Sequence, residues 1–208
     1  MLIINESDSN AVDLACDFLR RGKIISFASD TVYGIGVDAL NSLAVENLYH
    51  LKNRDEKKPV AIFVKDLATA KKIFMFDELS ERIAMKFFPG SLTMVLKIKP
   101  ESAGLLPSCL NKKADGFLGF RIIDCEFVKN LLEKFGGILA VSSANPANQT
   151  AATTSEEVEK YFTKSNLDLL IDGGESKQKQ ASTVVKISNG NLEILRLGAI
   201  SKSNFLNL

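Results

Sequence analysis

Seven consecutive residues, Lys52-Asn53-Arg54-Asp55-Glu56-Lys57-Lys58, carry four cations and run into Pro59. Such a cluster can clamp a polyphosphate, with arginine gripping oxygens bidentately and each lysine acting as a point charge. The same cations are equally favoured at a helix C-terminus facing water, so the run alone does not decide. Ser29-Asp30-Thr31-Val32-Tyr33-Gly34-Ile35-Gly36 joins hydroxyls to two glycines that would permit positive φ and close approach of a ligand. Its alternative is a strand-to-helix turn with local caps. In Val141-Ser142-Ser143-Ala144-Asn145 the hydroxyls and the amide suit phosphate or ribose oxygens, and suit a turn equally well. Arg121 and Arg196 each lie in an otherwise apolar strand-like run. Such an arginine either points outward or needs a partner, for which a carboxylate or a phosphate ligand is a candidate.

Other chemistries lack their residues. His50 is the one histidine, so a His-based triad would rest on it and a multi-histidine metal site is excluded. It reads as a surface or boundary residue of a helix. Cys16, Cys109 and Cys125 form no C-x-x-C pair, which argues against structural zinc and a disulfide framework and fits a reducing cytoplasm. They read as small apolar fillers, and Lys71-Lys72 and Lys112-Lys113 as solvated surface. No apolar run approaches the roughly 20 residues that span a bilayer. The N-terminus lacks the basic flank and apolar stretch of a secretory signal. A cytoplasmic protein with no membrane partner is expected. With 26 cations against 25 anions, the net charge of +1 is too balanced for a basic nucleic-acid grip. What remains is chemistry done by Lys, Arg, Ser, Thr, Asn, carboxylates or bound ions.

These residues need elements to hold them. A length of 208 residues predicts one domain over 1–208. A composition of 46% hydrophobic and 25% charged residues is that of an ordinary soluble chain. Ala11, Val12, Ala15, Phe18 and Leu19 recur at helical spacing, with Gly22 as a stop. A second helix carries Leu43, Leu48 and Leu51 behind a Ser42 cap. Further helices are predicted over 80–88, stopped by Pro89-Gly90, over 126–135, ended by Gly136-Gly137, and over 155–162. Strands are predicted over 24–28, 59–64, 92–98, 117–123, 138–141 and 167–171, with an exposed loop over 100–116. A hairpin pairs 182–187 with 192–197 around Ser188-Asn189-Gly190-Asn191. The fold class is α/β: an open, twisted, mixed parallel and antiparallel sheet with packed helices, and ligands at strand ends.

In this order the segments resemble the YrdC-like (TsaC) family of threonylcarbamoyl-AMP synthases. The resemblance runs from Ile24 to Ile200. It is carried by Ser29 to Gly36, by Lys52-Asn53-Arg54 with Lys58-Pro59, and by Phe88-Pro89-Gly90-Ser91-Leu92-Thr93. Phe120-Arg121-Ile122, Ser143-Ala144-Asn145, Ser182-Thr183-Val184-Val185 and Ile194 to Ile200 complete it. The resemblance implies a positively lined cavity and the conversion of L-threonine, bicarbonate and ATP to threonylcarbamoyl-AMP, pyrophosphate and water. The product feeds a tRNA threonylcarbamoyladenosine modification whose transfer step belongs to other proteins, so tRNA is met indirectly. The resemblance assigns Lys52 and Arg54 to catalysis on the ATP phosphates, and Lys58, Ser143, Asn145 and Arg196 to the nucleotide. It assigns Thr31, Tyr33, Arg121, Ser182 and the backbone at Val141 to threonine. Mg²⁺ comes with ATP and no protein side chain is assigned to a metal.

The sequence departs from the family pattern at several places. Ala28-Ser29 replaces Pro-Thr, Asp55 follows Arg54 where proline is usual, and Lys58 stands where some members have Asn. Phe63 stands where some place a histidine on threonine, and Pro146-Ala147-Asn148-Gln149-Thr150 lacks the usual Ser-Gly. The extra C-terminal domain of longer relatives is not expected, since the chain stops soon after the hairpin. Two other functions compete. One is a carbamoyl-adenylate-forming domain of hydrogenase-maturation type, whose C-x-x-C pairs this chain lacks. The other is a non-enzymatic RNA-binding module, against which the balanced charge argues.

Overall fold

The computed structural model describes residues 1–55, 58–111 and 115–205. Lys57 and the Lys112-Lys113 pair lie outside the described residues. In chain order the strands are β1 (Leu2–Asn5), β2 (Ile25–Phe27), β3 (Gly34–Asp38), β4 (Ala61–Phe63) and β5 (Leu92–Lys97). β6 (Phe117–Arg121), β7 (Leu139–Ser143), β8 (Leu169–Asp172), β9 (Thr183–Ser188) and β10 (Asn191–Arg196) complete the set. The helices are α1 (Ala11–Arg20), α2 (Ser42–Lys52), α3 (Leu67–Ile73), α4 (Glu78–Phe87), α5 (Pro100–Ala103), α6 (Glu126–Phe135) and α7 (Ser155–Phe162).

Among the described residues the strands form a ten-stranded sheet in the order β1-β8-β2-β3-β7-β4-β6-β5-β9-β10. β8 lies parallel between β1 and β2, β4 is parallel to β6, and β5 to β9. The remaining neighbours run antiparallel. The mixed, open α/β sheet expected from the sequence is therefore the fold.

Several local expectations need correction. Asn41, not Ser42, caps α2, because its side chain accepts the Ala44 N–H while Ser42 already occupies the first helical position. α4 begins two residues before 80, where Asp77 and Ser80 form a reciprocal capping box. The stretch 100–116 is not wholly an exposed loop. It holds α5 and a 3₁₀ turn, Ser108–Asn111, that buries Cys109 and Leu110. Lys71-Lys72 lies in the last turn of a helix, α3, that the sequence reading did not foresee. Neither β1 nor β3 was foreseen. Gly34 and Gly36 do not take positive φ for a ligand. They sit in β3, where a Cβ on either would press on the Phe27 ring and on Val141. Their small size admits that ring, which is a packing reason.

Side chains alternate across a strand, so each strand feeds both faces of the sheet. Ile35, Ile62, Met94, Leu96, Leu118, Phe120, Ala140, Val185 and Ile187 pack on one face into a large core with α2, α4 and α7. On the other face Phe27, Phe63, Leu139, Val141, Leu169 and Ile171 meet the apolar stripes of α1 and α6. α1 offers Ala11, Ala15, Cys16 and Leu19, and α6 offers Phe127, Val128, Leu131 and Leu132. Each buried leucine there stabilises the fold by about 1.5–3 kcal/mol. α1 and α6 cover only one end of this second face. The other end stays open and forms the cavity.

Candidate active site on the open face of the sheet

The cavity encloses about 510 Å³, within the usual range for small-molecule sites. Its floor shows the period of two. Phe117, Gly119 and Arg121 of β6, Thr93 and Val95 of β5, Ala61 and Phe63 of β4, and Val141 and Ser143 of β7 all face it. Gly119 sits at the centre, where a Cβ would crowd Thr93 and Val95 at 3.2 and 3.5 Å. A glycine in mid-strand keeps this floor low enough for a ligand to lie on the backbone.

At one end of the floor stands Arg121, 5% exposed. Its Nη2 donates to both carboxylate oxygens of Asp30 at 2.8 and 2.9 Å and to the Gly90 carbonyl at 3.1 Å. Nη1 donates to Thr31 Oγ1 at 3.0 Å, and the guanidinium lies 5.4 Å from the centre of the Phe63 ring. Thr31 in turn bonds Ser29 Oγ at 3.0 Å. Ser182 borders the same cavity, bonded to Thr93 Oγ1 at 2.8 Å. Tyr33 also borders it, but its hydroxyl donates to the Gly174 carbonyl at 2.7 Å and accepts the Gly173 N–H. Burial pushes the Tyr33 hydroxyl up to about 12.

Arg54 and Arg196 line the cavity as well. Arg54 donates to the carbonyls of Lys58 and Pro59 at 2.9 and 3.0 Å. Arg196 Nη2 donates to the Ser182 carbonyl at 2.7 Å and to its hydroxyl at 3.2 Å. Burial first, then the fields of Arg121 and Arg54, pull the Arg196 pKa down. That is the mark of three guanidinium groups sharing one space.

The structure does not bring every predicted residue to the surface of this cavity. Lys52 is 2% exposed and lies behind the Ser143–Asn145 turn, donating to the Ser143 carbonyl and, at 3.3 Å, to Asn145 Oδ1. Burial, with the charge of Arg54 beside it, pushes Lys52 down to about 7. Asn145 accepts the Ser143 hydroxyl at 2.6 Å and ties down the loop through the carbonyls of Pro146 and Gln149. The Lys58 side chain is exposed, and the carbonyl of that residue serves Arg54. His50 is exposed and away from the cavity.

Sequence reasoning assigned no role to Asp30, Ser91 or Thr93, all within segments it quoted. The signal for Asp30 was Arg121 itself, since a cation inside an apolar strand needs an anion. Lys186 and Phe117 were also missed. They meet at the far end of the cavity, Lys186 Nζ standing 4.0 Å from the ring centre.

The sequence profile of the Sua5/YciO/YrdC family, which carries the description "Telomere recombination", matches residues 17–198. This chain belongs to that family. A Methanocaldococcus jannaschii relative is 33% identical over 201 residues, covering 95% of this chain and 90% of the relative. The threonylcarbamoyl-AMP synthase of Mus musculus is 32% identical over 200 residues, 91% of this chain and 68% of that one. Among Sua5/YciO/YrdC structures, Pyrococcus abyssi Sua5 complexed with L-threonine superposes with a TM-score of 0.87 at 27% identity. That match covers 95% of this chain and 58% of the archaeal one, so this chain spans somewhat over half of its length.

Proposed function

We propose that this protein is a threonylcarbamoyl-AMP synthase, forming threonylcarbamoyl-adenylate and pyrophosphate from L-threonine, bicarbonate and ATP. The observation that carries the reading is the meeting of Arg54, Arg121, Arg196, Ser143, Ser182 and Thr31, scattered over the sequence, in one cavity. The likeness to a synthase and to a threonine-bound structure supports it.

No side-chain nucleophile is needed. The threonine amine adds to bicarbonate-derived CO2, losing a proton, and the resulting carbamate oxygen attacks the α-phosphorus of ATP as pyrophosphate leaves. The reacting groups carry negative charge, so the protein's task is to hold anions together and to stabilise the leaving group. Positioning of this kind is worth about 7–11 kcal/mol. Arg121, Thr31 and Ser182 hold threonine at one end, with Tyr33 and the Val141 backbone closing that pocket. Arg54, Arg196 and Ser143 hold the nucleotide. Lys52 and Asn145 reach it through the Ser143 turn, and Lys58 through the loop that anchors Arg54. Mg²⁺ brought with ATP would add positive charge beside that of Arg54 and Arg196. Among the described residues no three His, Cys, Asp or Glu side chains converge to hold it by themselves.

The product is an activated adenylate, which other proteins consume in modifying tRNA in the cytoplasm. Among the described residues no helix is long and apolar enough to cross a membrane. The deciding experiment is pyrophosphate release from ATP with threonine and bicarbonate each omitted in turn. Release that requires both is expected. Release with carbamoyl phosphate in their place would instead favour carbamoyl-adenylate chemistry, and salt-sensitive tRNA binding without release would favour an RNA-binding module.

A further inference from the structure

Asp30 is 6% exposed and does not border the cavity, yet its carboxylate is the ion-pair partner of the arginine that does. It is fixed in place. Oδ2 accepts the Ser91 hydroxyl at 3.1 Å, and its backbone carbonyl accepts the Gln178 N–H at 3.2 Å. The Arg121 guanidinium is equally immobile, held by Asp30, Thr31 and the Gly90 carbonyl above the Phe63 ring. Arg196, by contrast, donates to the carbonyl of Ser182, which carries no formal charge.

We propose that Asp30 balances the charge at the Arg121 end of the cavity, so that this end selects a zwitterionic amino acid over a plain carboxylate. The proposal rests on reading that end as the threonine site. The Arg121–Asp30 pair is net neutral before any ligand arrives. Arg121 Nη1 carries two N–H groups, one of which goes to Thr31 Oγ1, and Thr31, Thr93 and Ser182 add hydroxyls along the cavity, so donors remain for a carboxylate. Within that pair no net positive charge remains to compensate it, and the next cation, Arg196, reaches this end only through the Ser182 hydroxyl at 3.2 Å. A ligand bringing only a carboxylate would leave one uncompensated negative charge in a buried place, which is costly. A ligand that also brings an ammonium leaves none. Asp30 acts here as a positioning and charge-balancing residue, through Arg121 and through its field, which is weakly screened at this depth.

The test is calorimetric binding of three compounds to the full chain: L-threonine, 3-hydroxybutanoate, which lacks the amine, and L-threoninol, which lacks the carboxylate. Wild-type protein is expected to bind threonine at least tenfold more tightly than either analogue. Asp30→Asn is expected to narrow the threonine-to-3-hydroxybutanoate ratio at least fivefold. Arg121→Gln, which leaves the opposite charge unbalanced, is expected to narrow the ratio to threoninol instead. Wild-type affinities for threonine and 3-hydroxybutanoate within threefold would overturn the proposal, whether or not the variants fold. Equal weakening of all compounds by Asp30→Asn would also overturn it, showing a role in scaffolding alone. Absence of any threonine binding to wild type would instead remove the functional reading on which the proposal stands.

Discussion

The Lys52 amine sits behind the Ser143–Asn145 turn, faces two oxygen acceptors and has its pKa pulled down to about 7 by burial beside Arg54. A lysine in the unfolded chain titrates near 10.4. Between these values the folded chain holds fewer protons than the unfolded one, so the stability contributed by this group grows as pH rises through that window. It is lost as pH falls through about 7. Each unit of difference is worth about 1.4 kcal/mol. The Tm difference between wild type and Lys52→Met, followed by thermal melts from pH 6.5 to 9.5, should therefore rise with pH by several degrees. A difference independent of pH would show that Lys52 is charged throughout. The sequence displays the cation and its neighbours in the K-x-R segment. It does not display the depth of burial, because that depends on Ser143, 91 positions away.

At the scale of elements, the last hairpin delivers two site residues and is fastened by the segment after β10. The Thr183 hydroxyl donates to the Ile200 carbonyl and accepts the N–H groups of Gly198 and Ile200. Gly198 lies so close that a Cβ would fall on the Ala181 carbonyl and within 2.6 Å of the Ser182 backbone. Gly198→Ala should push Ser182 and Arg196 out of place and lower kcat/KM at least tenfold in the pyrophosphate assay, with the main cores intact. Unchanged kcat/KM would show that the β9–β10 hairpin tolerates the shift. The hairpin itself was legible, since Asn189 and Gly190 both take positive φ in its turn. Its tie to residues 198–200 was not, because Gly198 carries no local signal that tells close packing from a simple loop. Likewise, β3 hid behind Gly34 and Gly36, whose composition reads as a turn until the Phe27 ring is seen to need the space.

For the whole molecule, the sheet separates stability from chemistry. Helices α1 and α6 cover one end of a face whose other end is the cavity, so a core change beneath α6 should cost stability and spare the site. Leu131 is fully buried there. Leu131→Ala should destabilise by about 2–5 kcal/mol, lowering Tm by about 2–4 °C for each kcal/mol at this chain length. The KM values for ATP and threonine should stay within twofold. A large rise in either KM would mean that the α6 layer and the cavity are mechanically coupled.

Residue types and local periodicities were enough to set out most helices, the mixed α/β class, the hairpin and the exclusion of histidine-rich metal and disulfide chemistry. All of these rest on interactions within a few positions of the chain, where spacing reads directly as a buried stripe, a cap or a turn. The tertiary structure alone decided which charges meet: Arg121 with Asp30, 91 positions apart, and Lys52 with the Ser143 turn instead of the cavity wall. Such partnerships depend on strand order and register summed over the whole sheet, and a one-residue slip in any strand would turn its side chains to the other face.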